Sequence, residues 1–361
     1  QNVARIYDYS LELARRHDGD ILFVGIDGLD FETFHRSVST PKATLIPLTA
    51  NVPSTSASSW TSIFTGMLPF EHGVYGAAQY HPQAGDSINS ISALRYRDGA
   101  LLGEQLRDTI VNDHPGGNLF ERVRQLGFEP VIQGFSTIFS SEPLVKKWLR
   151  GGAIDPLEEL ETLMWHPREL VKRNIADIDR IVGRESPREK RFVFCFVDFD
   201  EYLHKHGYDQ SILSAVEDMF AYLNQLKRSN PNISIFCASD HGMTPHRPYE
   251  EAPLIRDGAI LQESRAFPAG AGRILFFYPI AGRENELRRL LEERIGNNGR
   301  IMSREEFISR YYDGRCVFDA QRIGDLVAVA TSHAFPAAYS DALFEHGGLE
   351  EKEMIAAIAI I

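Results

Sequence analysis

The sequence predicts an α/β fold in which a mostly parallel central sheet is flanked by helices. Two observations predict it. Three apolar runs of strand length, ILFVGI, RFVFCFV and ISIFCAS, each close on an acidic residue, as buried parallel strands do when their carboxyl ends form a site. Around them lie stretches with apolar residues at helical spacing, the clearest from about 210 to 228. At 361 residues, 43% apolar and 24% charged, the chain can bury a large core with an ordinary soluble composition. One domain over 1–361 is expected, with insertions at 77–115 and 244–315 forming a cap.

Residues 2–17 read as an amphipathic helix, with Val3, Ile6, Leu11 and Leu13 among charges, leading into the strand that ends at Asp27-Gly28. The stretch PSTSASSWTSIFTG opens with hydroxyls and continues at helical spacing to Gly66, with Pro69 just beyond, as a short capped helix would. Ser56 then sits at the helix N-terminus. Free N–H groups and the positive end of the dipole favour both a phosphate and an ionised serine there, although an ordinary N-cap is the simpler reading of that serine alone. From about Gly76 to Gly117 the chain is polar, read as loop and cap; a helix ending at Gly127 and a strand follow. Residues 140–190 read as helical, with Trp148, Leu157, Leu160, Leu163, Ile175 and Ile178 as the buried face. The strand RFVFCFV runs into DFDEYLHKH, and ISIFCAS runs into Asp240-His241. Later come the strand RILFFY, a surface helix with the stripe Leu287, Leu290, Leu291 and Ile295, the strand DLVAVA, a loop carrying His333 and His346, and a terminal strand EMIAAIAII.

The net charge is −12 and no Lys/Arg block tracks a phosphate backbone, so stable duplex binding is not expected. An acidic chain that handles phosphates needs metal ions to supply positive charge. Neither a dinucleotide fingerprint nor a P-loop occurs. Cys195, Cys237 and Cys316 form no CxxC pair and read as free thiols, which points to a reducing, cytoplasmic compartment. No apolar run reaches the length of a membrane span, and no signal peptide is evident. Gln1 opens the chain in place of methionine, and a segment removed or left out before it is expected.

The candidate ligands divide into two sets. Asp27, Asp240 and His241, with the Ser56 oxygen, would hold one divalent ion; Asp200, His204 and His346 would hold another, the first two brought to one side by a helical turn. Mixed imidazole and carboxylate ligation suits zinc, with manganese as the alternative. Taken singly, Asp27 and Asp240 fit helix N-caps and the histidines fit surface positions. Jointly, the order Asp-Gly, Ser, Asp-x-x-x-His, Asp-His-Gly, His-Gly points to a two-metal phosphoryl-transfer site.

On these motifs the chain resembles the alkaline phosphatase superfamily, and within it the type I phosphodiesterase/nucleotide pyrophosphatase branch, from Ile21 to the C-terminus. PSTSASSWTSIFTG is similar to that branch's nucleophile segment, placing Ser56 rather than Thr55 at the nucleophile position. DEYLHKHG is similar to its D-x-x-x-H-x-x-G, which implies Asp200 and His204 as ligands and leaves His206 outside. SDHGM and the terminal HGG supply Asp240, His241 and His346.

The resemblance implies a three-layer core with cap insertions and a metal-dependent phosphoesterase working through a phosphoserine. Phosphodiesters or nucleotide pyrophosphates are the expected substrates, with Tyr80, Phe139 and Tyr249 as candidates to stack a base. Ser59 stands where the branch carries an asparagine, and HGGLEEKEM resembles the ending of PglZ-type domains and of several phosphatases. A phosphomonoesterase is therefore the alternative, and a metal-binding recognition module without activity is the alternative from another class. A sulfatase would need a Pro-Arg pair after the nucleophile, which Ser56 lacks.

Overall fold

The computed structural model describes residues 1–38, 43–183, 190–247, 253–315, 317–337 and 341–361. Its centre is a seven-stranded sheet of β1 (Ile21–Ile26), β2 (Thr44–Thr49), β3 (Phe128–Gln133), β4 (Ala153–Asp155), β5 (Lys190–Val197), β6 (Ser234–Ser239) and β7 (Ile355–Ile360), in the order β2-β7-β6-β1-β5-β3-β4. The five strands from β6 to β4 run parallel, and β7 is antiparallel to both its neighbours.

Alternation along these strands divides the core in two. Ile21 and Phe23 of β1, Phe192, Phe194 and Phe196 of β5, and Phe236 of β6 face one side. They pack on α1 (Arg5–Arg16), α3 (Ser56–Thr65), α4 (Leu119–Gln125) and α5 (Pro143–Leu149) through Leu11, Trp60, Phe120 and Trp148. Leu22, Val24, Val193, Cys195, Ile235 and Cys237 face the other. There they meet α2 (Phe31–Ser37), α6 (Pro167–Val182) and α8 (Gln210–Ser229) through Phe34, Ile178 and Phe220. Both faces are covered, which is why these strands read as continuous apolar runs.

A second, antiparallel sheet of six strands joins 299–303, 326–330, 274–277, 269–271, 78–81 and 86–89 in that order. It gathers the polar stretch after Gly76 and the later insertion into one layer, and the strand DLVAVA belongs here rather than to the central sheet. The edge strands β2 and β4 escape a reading by apolar runs because their side chains are largely exposed or half-buried. Of the expected buried face over 140–190, Leu163 and Ile175 are only half-buried. Cys195 and Cys237 are buried and unpaired, and Cys316 lies outside the described residues. No described helix is long and apolar enough to cross a membrane.

Gly25, near the end of β1, leaves room for Trp60 of α3 against the sheet. A Cβ there would lie 2.6 Å from Trp60 Cη2 and 2.8 Å from Phe194 Cε2. Gly25→Ala must therefore push Trp60 out of its place, and overpacking of this kind costs about 1–3 kcal/mol. Denaturant unfolding is expected to show a midpoint lowered to match; an unchanged midpoint would mean that α3 does not rest on β1 as described.

Candidate metal and nucleophile site

Register brings the site together. Ile26 of β1 is opposite Val197 of β5 and Ser239 of β6, so the residues that follow, Asp27, Asp198 and Asp240, leave the sheet at one edge. Asp200 and His204 lie one turn apart on α7 (Asp200–His206), as their spacing predicts. The aromatic residues before them in β5 anchor the base of that turn in the core. Tyr208 binds two of the loops, its hydroxyl donating to the Gly28 carbonyl at 2.8 Å and accepting from the Met243 N–H at 2.8 Å.

Ser56 is the first residue of α3, whose N-cap Thr55 makes no side-chain capping bond. Its hydroxyl lies 3.1 Å from Asp27 Oδ1 and 3.0 Å from His241 Nε2. Trp60, one turn on, donates from Nε1 to Asp27 Oδ2 at 3.1 Å. Ligand atoms of Asp27, Asp240 and His241 all lie within 4.8 Å of one another. The other set converges too: His204 Nε2 is 3.5 Å and His346 Nε2 3.6 Å from the two oxygens of Asp200. Ligand atoms of Asp200, His241 and His346 also fall within 4.8 Å, so the two sets adjoin. All seven residues singled out in the sequence are thus brought to one place, and His206 is outside the group.

The donor atoms fit cations. Each of the three imidazoles turns Nδ1 to a backbone carbonyl: His204 to Phe344 at 2.9 Å, His241 to Gly242 at 3.1 Å, and His346 to Ser54 at 2.8 Å. A carbonyl can only accept, so the hydrogen sits on Nδ1 and the Nε2 atoms are directed at the carboxylates, as in sites where an outer partner orients a metal-binding histidine. Asp200 Oδ1 and Asp240 Oδ2 are buried without a hydrogen-bond partner. Buried carboxylate oxygens without partners are costly unless a cation answers them.

Electrostatics shows the same strain. Burial, reinforced by Asp240 and Asp200, pushes the Asp27 carboxyl well above the carboxylate range, and burial with Asp200 does the same to Asp240. At Asp200 burial acts upward but is outweighed by His204 and His346, which hold it below its ordinary value. Burial would lower His204, yet Glu345 and Asp200 outweigh it and raise the imidazole to about 10. Burial and His241 push His346 down to about 3.

Sequence reasoning missed several supporting groups. Glu345 is fully buried, lies 3.6 Å from His204 Nδ1, and is pushed by burial up to about 7. Asp198 is likewise raised by burial and by Asp200 to about 7. Ser54 joins the segment before α3 to the loop that carries His346: its hydroxyl donates to the Gly348 carbonyl at 3.0 Å and accepts from the Gly347 N–H at 3.1 Å. Gly347 has φ +92°, a conformation that favours glycine, and this requirement explains the Gly after His346.

Two clefts open on Ser56. One, of about 260 Å³, is lined by Thr55, Asn89, Lys205, Gly272 and His346 among others; the second, of about 330 Å³, lies on the Phe139 side. Tyr80 lines neither and packs on Tyr278 at 5.0 Å between ring centroids, so it is not placed to stack a substrate base. Tyr249 lies outside the described residues. Ser59 is fully buried.

Several of these groups have pKa values raised on folding, and the sign follows. Asp198 and Glu345, with ordinary values of 3.8 and 4.5, contribute stability at low pH that is lost as pH rises through about 7. His204 contributes stability that is present below 6.5 and lost as pH rises through about 10. A bound cation opposes both losses. Adding a chelator is expected to lower the melting temperature, and by more at about pH 8 than at about pH 6. A melt indifferent to the chelator at both values would mean that the ligands do not act together.

The family model described as "Type I phosphodiesterase / nucleotide pyrophosphatase" matches residues 21–349. Sequence comparison with curated proteins finds no match. Among solved structures, human ectonucleotide pyrophosphatase/phosphodiesterase 5 is similar at 15% identity and TM-score 0.65, with 94% of this chain and 87% of that one covered. An inactive form of the murine protein, solved in complex with AMP, is similar at 14% identity and TM-score 0.61, covering 95% and 88%. Phosphonoacetate hydrolase from Sinorhizobium meliloti, solved with phosphonoacetate, is similar at 16% identity and TM-score 0.60, covering 95% and 89%. The matched span takes in Ser56 and all the converging acids and histidines, and the chain belongs to the type I phosphodiesterase/nucleotide pyrophosphatase family of phosphoester hydrolases.

Proposed function

We propose that the chain hydrolyses phosphodiesters or nucleotide pyrophosphates through a phosphoserine at Ser56. The observation that carries this reading is the Ser56 hydroxyl, 3.1 Å from Asp27 and 3.0 Å from His241 at the opening of α3, beside the Asp200, His204 and His346 cluster. Two divalent cations, zinc first and manganese second, would be held by Asp27, Asp240, His241 and Ser56 and by Asp200, His204 and His346, and would supply positive charge for the serine oxygen and the phosphoryl group.

The chain's own groups then do the following. Asp27, itself held by Trp60, fixes the position of Ser56 Oγ. The amino end of α3 favours the serine in its ionised form and the phosphoryl oxygens beside it. Ser56 passes its proton to water and attacks phosphorus in line. The bond from phosphorus to the leaving oxygen breaks, and that oxygen takes up a proton. Water then cleaves the phosphoserine, restoring the serine hydroxyl and releasing the phosphate product. The murine relative's complex with AMP supports a small nucleotide as one substrate to try.

Lys205 is the one cationic side chain other than histidine among the described residues lining the two clefts, and it is paired with Asp341 at 2.5 Å. A doubly charged monoester therefore finds little to hold its extra charge, which favours the diester over the phosphomonoesterase reading. Ser56→Ala is expected to lower turnover of bis-p-nitrophenyl phosphate by roughly 10³-fold or more while metal content is retained. For the unaltered protein, kcat/KM for bis-p-nitrophenyl phosphate should exceed that for p-nitrophenyl phosphate under the same metal loading. The reverse ratio would assign a monoesterase, and no turnover of either with both ions bound would assign a recognition module.

A further inference from the structure

Three carboxylates among the described residues keep a buried oxygen without a hydrogen-bond partner: Asp200, Asp240 and Glu345. The first two belong to the ligand sets already described; Glu345 does not. Glu345 is fully buried, and its other oxygen, Oε1, accepts from the backbone N–H of His346 at 3.1 Å. An enclosed acid with one oxygen unanswered destabilises a fold by itself, so its worth lies in what it faces.

The surroundings keep it in place. Residues 344–345 pair with 244–245, and the same segment docks on α7: the Leu343 N–H donates to the His204 carbonyl at 2.8 Å, and His204 Nδ1 donates to the Phe344 carbonyl at 2.9 Å. A Cβ at Gly272 would lie 2.3 Å from Glu345 Oε1 and 2.4 Å from its Cδ, so the chain leaves open the space that the carboxyl group fills. Oε1 then stands 3.6 Å from His204 Nδ1, too far for a second hydrogen bond and near enough for its charge to act on the ring. Ligand atoms of His204, Glu345 and His346 lie within 4.8 Å of one another. Because the hydrogen of His204 is on Nδ1, Glu345 occupies the outer side of that imidazole while Nε2 is turned to Asp200. A carboxylate so placed makes the imidazole a stronger donor at its other nitrogen and resists rotation of the ring.

We propose that Glu345 is a positioning residue for the cation of Asp200, His204 and His346: it acts through His204, holding Nε2 toward the ion and strengthening that bond, while its bond to the His346 N–H ties the two histidines together. This rests on the metal reading of the site and goes beyond it, assigning a residue that acts on the ion only through a ligand.

The test measures zinc binding to the full chain by competition with a chromogenic chelator, one dissociation constant for each ion, together with the melting temperature of the metal-free protein. In Glu345→Gln, which keeps the size and an acceptor for the His346 N–H, one constant is expected to weaken about tenfold or more and the other to stay as it is. The metal-free melt should be unchanged or higher, because a buried charge has been removed. A merely structural residue gives the opposite pattern, a lower metal-free melt with both constants kept, and that result overturns the inference. Equal weakening of both constants also overturns it, since it marks a general loosening of the site. Should Glu345→Gln not fold, Glu345→Asp decides: it withdraws the carboxylate by one methylene, and one constant must weaken severalfold with the metal-free melt kept. Unaltered protein that takes up no zinc would remove the metal reading itself, whereas two bound ions with unchanged constants in the variant would remove only the inference.

Discussion

The structure depends on the neutralisation of carboxylates that its own sheet forces together. Three adjacent parallel strands end in register, and each passes an aspartate to the same edge, where burial raises the cost of every negative charge. Like charges so placed cannot all ionise without an answering cation. His204, raised to about 10, supplies part of the answer, and the oxygens of Asp200 and Asp240 without a hydrogen-bond partner mark where the remainder is needed. A fold that ends three strands in acids is therefore coupled to metal binding by the same geometry that makes it useful.

The second sheet takes part in that coupling through the loop that carries His346. The Arg273 N–H, at the turn between two of its strands, donates to the His346 carbonyl at 3.0 Å. The Arg273 guanidinium is fully buried and lies 3.1 Å from the equally buried Glu353, which accepts from the N–H of Gly348 and of Glu350, both at 2.9 Å. Breaking a buried pair of this kind costs far more than removing an exposed one, because the remaining charge has no partner. Together with Ser54, this network fixes His346 relative to Ser56, although the two are nearly the whole chain apart.

Charge also distinguishes the two sides of Ser56. On the His346 side Lys205 and Asp341 form an ion pair at the rim, whereas on the Phe139 side Glu142 and Glu161 stand beside apolar surface with no ion-pair partner among the described residues. A site whose chemistry serves several phosphorus esters selects among them by such walls. On the Phe139 side the wall is built from the segments around Phe139 and Leu160 together with the start of α7, whose Asp200 also belongs to the candidate site.

The sequence by itself determined the elements whose signals are local. Continuous apolar runs fixed β1, β5 and β6; the four-residue spacing of Asp200 and His204 placed both on one helix face; the hydroxyl cluster before an apolar run and Gly66 bounded α3. The order of the acids and histidines then sufficed to group the ligand candidates, because strand ends in a parallel sheet must emerge on one side. Register, pairing at a distance and exposure were decided only by tertiary structure. The edge strands β2 and β4 bury too little to show a pattern, and the second sheet is closed by a pairing of strands nearly two hundred residues apart, Ala78 with Gly270. Glu345 carries no local signal of its role, because only the closed fold buries it beside His204. Tyr80 looked available to a substrate until Tyr278, reached only through that second sheet, covered it. A local sequence fixes which faces are apolar, but which distant group meets each face depends on how the whole chain closes.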